Sequence, residues 1–545
     1  MDYDYIIVGA GSAGCALANR LTASGRFSVL LLEAGEDERW MWIRIPAGIA
    51  NILTGERALW RFHTEADEKV GGRKIFWPRG RALGGSSAVN GMIWVRGDPL
   101  EYDQWASFGN SGWGYKDVLP VLKRMEQYAL GDPNYRGREG PMYITRYVDR
   151  DALSEGYLAA AQQAGVPAVE DYNGPRFEGI GYLQYNTRNG RRRHTADNYL
   201  RPAMQRSNLT VETGALAQHI DFEGKRAVGL TYRKGSALRS VRAKREVLLA
   251  AGAIQSPQLL ELSGIGQREV LQRAGVALVH ELPGVGENLR DHLHVRIAFE
   301  TKLHSTLNTI LRSPLLKAKM GARWLFLGRG LMSTSSATMM AIARSDPELP
   351  RPDIKMQLHQ LSMASSHYAD NREARTVAER MGLDAYPGFS IGTYVLRPES
   401  RGSVHIRKAD ASEHPEIRAN YLSAEYDVKT MLAALRMIRN IASQPGLARH
   451  IVRETRPGPD AQSDDALLDH VRKTGQTSYH PIGTCRMGND PQAVVDAELK
   501  VRGIEGLRVC DASIMPTMVA SNTNAPSIMI GEKASDLVLA SADNN

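Results

Sequence analysis

Tyr3-Asp4-Tyr5-Ile6-Ile7-Val8-Gly9-Ala10-Gly11-Ser12-Ala13-Gly14, continued as far as Glu33, is the stretch whose reading decides the fold. Tyr5 to Val8 is a short apolar run suited to a buried parallel strand. Residues 12 to 24 carry small and apolar residues at helical spacing, and Val29-Leu30-Leu31-Leu32 reads as a second buried strand. The glycines between them have separate tasks. Gly9 permits the tight turn, Gly11 lets the backbone approach a pyrophosphate, and Gly14 lets helix and strand pack closely. The phosphates rest on the positive end of the helix that Ser12 and Ala13 open. Glu33, nineteen residues past Gly14, ends the second strand, where a carboxylate accepts hydrogen bonds from an adenosine ribose. The pattern predicts a dinucleotide-binding unit and does not distinguish NAD from FAD.

The remaining composition narrows the class. At 545 residues with 43% hydrophobic content, two or three domains with large cores are expected. The 68 basic and 60 acidic residues leave only +8, dispersed apart from Arg191-Arg192-Arg193, which reads as a solvated loop or lid contact and not as a nucleic-acid patch. Three cysteines, Cys15, Cys485 and Cys510, with no Cys-x-x-Cys pair, argue against a disulfide framework or a zinc site. The first strand begins at about Tyr5, and the longest apolar run, around Val247 to Ile254, is too short to span a bilayer. A cytoplasmic location is expected, with peripheral contact at the inner face of the membrane left open.

Further along, Trp77-Pro78-Arg79-Gly80-Arg81-Ala82-Leu83-Gly84-Gly85-Ser86-Ser87-Ala88-Val89-Asn90-Gly91 is dense enough in glycine and serine for its backbone to wrap round a planar or phosphorylated ligand. Gly252-Ala253-Ile254-Gln255-Ser256-Pro257, Gly284-Val285-Gly286-Glu287-Asn288-Leu289-Arg290-Asp291-His292, Tyr479-His480-Pro481-Ile482-Gly483-Thr484-Cys485-Arg486-Met487-Gly488 and Ser521-Asn522-Thr523-Asn524-Ala525-Pro526 follow. In this order, from Tyr3 to about Leu537, they resemble the glucose-methanol-choline (GMC) oxidoreductases, FAD enzymes that oxidise alcohols; Glu261, where an apolar residue is expected, is a small departure.

The resemblance implies an α/β fold: a Rossmann-like FAD-binding domain with a second α+β substrate-binding domain, the chain crossing between them. Residues 1–145, 206–298 and 476–545 would form the first, and 146–205 with 299–475 the cap and substrate domain. It implies cofactor contacts at Ala34, Arg81, Gly84, Gly85, Ser86, Asn90, Gly91, Ala215, Leu216, Ala251, Gly252, Asp511, Ala512 and Ala525, besides the fingerprint residues. It aligns His480 with the family's catalytic base and Asn524 with the second catalytic position, which bonds the substrate oxygen. A neutral imidazole suits removal of the hydroxyl proton while hydride passes to flavin N5.

Two departures refine this. Val89 stands where some relatives attach FAD through histidine, so the FAD should be non-covalent. Thr338-Met339-Met340-Ala341-Ile342 stands where choline-oxidising relatives carry a glutamate, which removes the charge partner of a choline. Met339, Met340, Met356 and Met363 suggest an adaptable apolar pocket, and thus uncharged primary alcohols. Ser478, two residues before the base, replaces an aliphatic residue of some oxidases, which favours a quinone or dye over oxygen as acceptor. Other readings stay open: a flavin-containing lyase of the hydroxynitrile type, an oxygen-using alcohol oxidase, or a flavoprotein whose FAD is structural. His292 and His294, two apart, could share a strand face as metal ligands, but no third ligand is visible and no metal is expected. Gly388-Phe389-Ser390-Ile391-Gly392 matches the serine-hydrolase elbow, yet the residues after Ser390 read as strand, not helix.

Overall fold

The computed structural model describes residues 2–364 and 376–543. The opening unit folds as its pattern demands. Strand Asp2–Val8 leads through the glycine turn into helix Ser12–Leu21, and Val29–Leu32 returns beside the first strand in parallel. Ile6, Ile7, Leu17, Val29 and Leu31 are fully buried, because a parallel sheet is covered on both faces. The seven-stranded sheet runs in the order Leu209–Glu212, Val29–Leu32, Asp2–Val8, Ala237–Leu249, Arg226–Lys234, Ala215–Glu223, with Leu507–Val509 also paired to Ala237–Leu249. The last helix, Asn524–Asp543, lies against Ser12–Leu21. They meet at Gly531, where a Cβ would come within 2.5 Å of the Ala13 carbonyl oxygen.

A second seven-stranded sheet is antiparallel throughout: Ile451–Arg456, Leu293–Thr301, Gly388–Val395, Ile354–His359, Ala337–Ala343, Gly179–Tyr182, with Gln476–Thr477 paired to the start of Leu293–Thr301. Its strands alternate with period two. Val295, Ile297, Phe389, Ile391, Met356 and Leu358 share a buried cluster with Met431, Leu435 and Ile438 of helix Glu425–Ser443. The intervening residues, among them His294, Arg296, Tyr394, Gln357 and His359, face a cavity. Leu293–Thr301 belongs to this sheet from its first residue, so the expected division at residue 298 falls within one strand.

Several expectations change here. Thr338 to Ile342 lies inside strand Ala337–Ala343, paired on both sides, and none of the five lines the cavity. Met339, Met340 and Met356 are core residues for the same reason, and of the four methionines only Met363 reaches the cavity. Arg192 is 2% exposed rather than solvated: it donates to the Ile43 carbonyl at 2.8 Å and to Asn90 Oδ1 at 2.9 Å, bracing the glycine-rich loop. The elbow match, by contrast, is a strand as expected: Ser390 sits mid-strand and donates to the Leu361 carbonyl at 2.9 Å.

Candidate active site

The fingerprint turn and the glycine-rich loop are pressed together. Gly9 has φ +100°, and a Cβ there would lie 2.6 Å from the Ala250 carbonyl oxygen; one on Gly85 would lie 2.7 Å from Gly11 Cα. Gly9, Gly11, Ser12, Ala13, Glu33 and Ala34 line one side of the resulting cleft, and Gly85 and Ser86 another. Ala215, Leu216, Ala251, Gly252, Asp511 and Ala512 close it. Glu33 Oε2 accepts the Ala10 N–H at 2.9 Å and Oε1 the Gly35 N–H at 2.8 Å, while burial pushes its carboxyl up to about 7. Asp511 is occupied at the start of helix Gly252–Leu262, where Oδ2 accepts the Gly252 N–H at 2.8 Å and the Ser256 hydroxyl at 2.5 Å.

A second cavity adjoins this cleft, sharing Ser12, Arg79, Ser86, Thr523 and Ser527 with it. Asn90, Gly91 and Asn524 line the second cavity. Four residues expected at the cofactor line neither the cleft nor the cavity. Gly14 packs against Gly9, with its Cβ position 1.9 Å from the Gly9 carbonyl oxygen. Gly84 donates its N–H to the Ala10 carbonyl, the Arg81 guanidinium lies over the Trp60 ring at 4.5 Å, and Ala525 is buried in the first turn of the last helix.

His480 is held between the two sheets. Its N–H donates to Asp291 Oδ1 at 2.7 Å, and Asp291 Oδ2 accepts the Thr477 hydroxyl at 2.6 Å and that of Tyr421. The preceding Tyr479 has φ +65°, a strained conformation for a bulky residue; Thr477 Oγ1 takes its N–H at 2.7 Å and Arg79 donates to its carbonyl at 2.8 Å. His480 Nδ1 lies 2.9 Å from His292 Nδ1, and His292 Nε2 lies 3.0 Å from the Leu396 carbonyl oxygen. A carbonyl only accepts, so His292 Nε2 carries hydrogen. Neutral His292 then accepts at Nδ1, His480 donates from Nδ1, and the lone pair of His480 is left on Nε2. Burial first, then the fields of His292, Lys355 and Arg79, holds the His480 imidazole well below its usual pKa, so it is neutral at pH 7.

The amide at this lone pair belongs to Asn522, not Asn524: Asn522 Nδ2 lies 3.0 Å from His480 Nε2. Lys355 Nζ donates to Asn522 Oδ1 at 2.8 Å and so sets which end of the amide faces the histidine. Asn524 is already the first residue of the last helix, and its Oδ1 accepts the Ser12 hydroxyl at 2.8 Å. Its buried Nδ2 has no partner among the described residues, an unused donor on the cavity wall beside the fingerprint helix. Cleft and adjoining cavity, with close-packed glycine backbone in one and this free amide in the other, fit a dinucleotide. The roles of His292, Lys355 and Asn522 were hidden in the sequence. Only the Asp291-His292 pair, in a stretch already recognised, carried a hint.

The GMC oxidoreductase profiles match residues 3–294 and 398–531 through their N- and C-terminal parts. The chain is 41% identical over 541 residues to an oxygen-dependent choline dehydrogenase of Photobacterium profundum, covering 98% of this chain and 93% of that one. It is 42% identical to that of Brucella anthropi, covering 99% and 96%. Among solved structures, pyridoxine 4-oxidase from Mesorbium loti superposes with TM-score 0.87 at 31% identity over 98% of both chains. Formate oxidase of Aspergillus oryzae, at 24% identity and TM-score 0.90 over 100% of this chain and 99% of that one, shares the fold. The chain belongs to the GMC oxidoreductases. It is a flavoprotein with FAD as cofactor, and it oxidises the CH–OH group of an alcohol; the lyase and structural-flavin readings are not favoured.

Proposed function

We propose that His480 is the base of this oxidation and that its Nε2 receives the hydroxyl proton of a small-molecule alcohol. The observation that carries the reading is the neutral His480 with its lone pair on Nε2, facing the cavity that adjoins the cofactor cleft. FAD, when bound, supplies the hydride acceptor. The cleft residues from Gly9 to Ala34, with Gly85, Ser86, Ala215, Leu216, Ala251, Gly252 and Ala512, would hold it, without a covalent link. The substrate hydroxyl replaces the Asn522 amide at Nε2, and the unpartnered Nδ2 of Asn524 on the same cavity wall supports that residue as a donor to the substrate oxygen. Anaerobic mixing with alcohols tests this: His480→Ala should keep its flavin and reduce it about 10²- to 10⁴-fold more slowly. An unchanged rate would remove His480 from the role.

For the acceptor, Ser478 on the cavity wall supports a quinone or dye over oxygen, because oxygen needs a small apolar site. Helix Pro314–Leu327 supports peripheral membrane contact. Leu315, Leu325 and Phe326 are 77%, 60% and 79% exposed and, with Ala318 and Ala322, form an outward stripe flanked by Lys317, Lys319 and Arg323. No acidic residue occurs from 301 to 345. An apolar stripe with basic flanks suits the surface of an anionic bilayer. Among the described residues no helix is long and apolar enough to cross one.

A further inference from the structure

We propose that the cavity beside His480 takes an alcohol whose far end carries a carboxylate, and that Arg296 binds it. This rests on the reading of that cavity as the substrate site. Strand Leu293–Thr301 aims His294, Arg296 and Ala298 at the cavity by its alternation, and Arg296 is paired in register with Gly392. A Cβ on Gly392 would lie 3.2 Å from Arg296 Cγ and 2.2 Å from His294 Nε2, so only glycine leaves room for both side chains on the sheet. Arg296 makes no ion pair with any described residue. Among the described residues its Nε is buried without an acceptor, and Nη1 reaches only Met363 Sδ at 3.4 Å.

A guanidinium left in this way forfeits strong hydrogen bonds, and its Nε edge matches the two oxygens of one carboxylate. The other arginines of the wall are engaged, Arg79 with the Tyr479 carbonyl and Arg456 with Asp384. No described residue lining the cavity is Asp or Glu. Among the described residues a quaternary ammonium would therefore meet a cation and no counter-charge. Leu53, Met92, Ile93 and Met363 offer apolar contact for the body of the molecule. In the reaction the carbinol carbon loses its hydride to bound FAD and the hydroxyl its proton to His480, giving an aldehyde with the carboxylate unchanged.

The test uses the FAD-loaded full chain. Anaerobic flavin reduction is compared for 4-(hydroxymethyl)benzoate, 4-methylbenzyl alcohol and 4-(trimethylammonio)benzyl alcohol, three molecules of similar shape and different charge. The carboxylate should lead in kcat/KM by about 10- to 100-fold, the range a charge-assisted hydrogen bond supports. Arg296→Gln should collapse that ratio, and Arg296→Lys should keep part of it. Calorimetric titration with unreactive 4-methylbenzoate should show binding that weakens about 10-fold or more in Arg296→Gln. Equal or faster reduction by the neutral or cationic alcohol, no binding of 4-methylbenzoate, or a ratio unchanged in the glutamine variant would overturn the proposal. If no alcohol of any charge reduces the flavin, the alcohol-site reading fails, and the titration still decides whether Arg296 binds the anion.

Discussion

His480 Nδ1 donates a hydrogen bond to His292 Nδ1 across 2.9 Å, and His292 is itself fixed by the Leu396 carbonyl. Two neutral imidazoles in series carry the tautomeric choice from a backbone carbonyl to Nε2 of His480. Without His292, the proton on Nδ1 of His480 loses its acceptor, and the preference for a lone pair on Nε2 is weakened. His292→Ala should therefore slow flavin reduction at least about 10-fold, within the span attributed to general-base catalysis, and shift the acid limb of its pH profile. A purely structural role for His292 would leave that limb in place. Stopped-flow reduction from pH 5 to 8 checks both.

Asn522 sits between Lys355 and His480 and offers opposite ends of one amide to them. Asn522→Asp replaces the donor facing Nε2 with a carboxylate oxygen, which favours the charged imidazole. The pKa of His480 should rise from its depressed value, moving the acid limb of flavin reduction to higher pH. A pH profile superimposable on that of the parent would show that Asn522 does not act on His480.

Burial holds His292, His294, His359 and His480 below the ordinary histidine value near 6.5. Below pH 6.5 the unfolded chain takes up protons that the folded one refuses, so the stability tied to these groups is present above 6.5 and lost as pH falls. Each contributes up to about 1.4 kcal/mol per pH unit. His405 has the opposite sign. Burial pulls it down, but its hydrogen bonds to Glu261 and Glu287 carry it up to about 9. Its stabilisation is complete below 6.5 and lost as pH rises through 9. Thermal melting should show a maximum near neutrality, a fall in Tm from pH 6.5 to 5, and a smaller alkaline loss that His405→Gln reduces.

Val89, 6% exposed, gives the flavin no nucleophile. Denatured holoenzyme should release intact FAD to the supernatant; flavin retained on the precipitated chain would exclude a dissociable cofactor. Gly85→Val should purify with little flavin, because its Cβ would be driven into Gly11.

Phe326→Asp, together with Leu325→Ser, removes apolar area from the outward stripe of helix Pro314–Leu327. Burying one such side chain is worth about 1.5–3 kcal/mol, so sedimentation with anionic vesicles should weaken roughly 10-fold or more. Equal binding to neutral vesicles would remove the role of Lys317 and Lys319.

What the sequence determined by itself is what short-range patterning carries. Tyr5–Val8, the three glycines and Val29–Leu32 specify the cofactor unit, because strand burial, the turn and helix packing each act within a few residues. The glycine-rich loop and the setting of His480 were legible for the same reason, through ordered motifs. The polar wall of the cavity was not, since His294, Arg296, Gln357 and His359 come from two strands about sixty residues apart and face one way only after pairing. Nor could spacing tell Asn522 from Asn524. Their difference lies in which side chain Lys355 holds and which Ser12 takes, contacts that the tertiary structure alone decides.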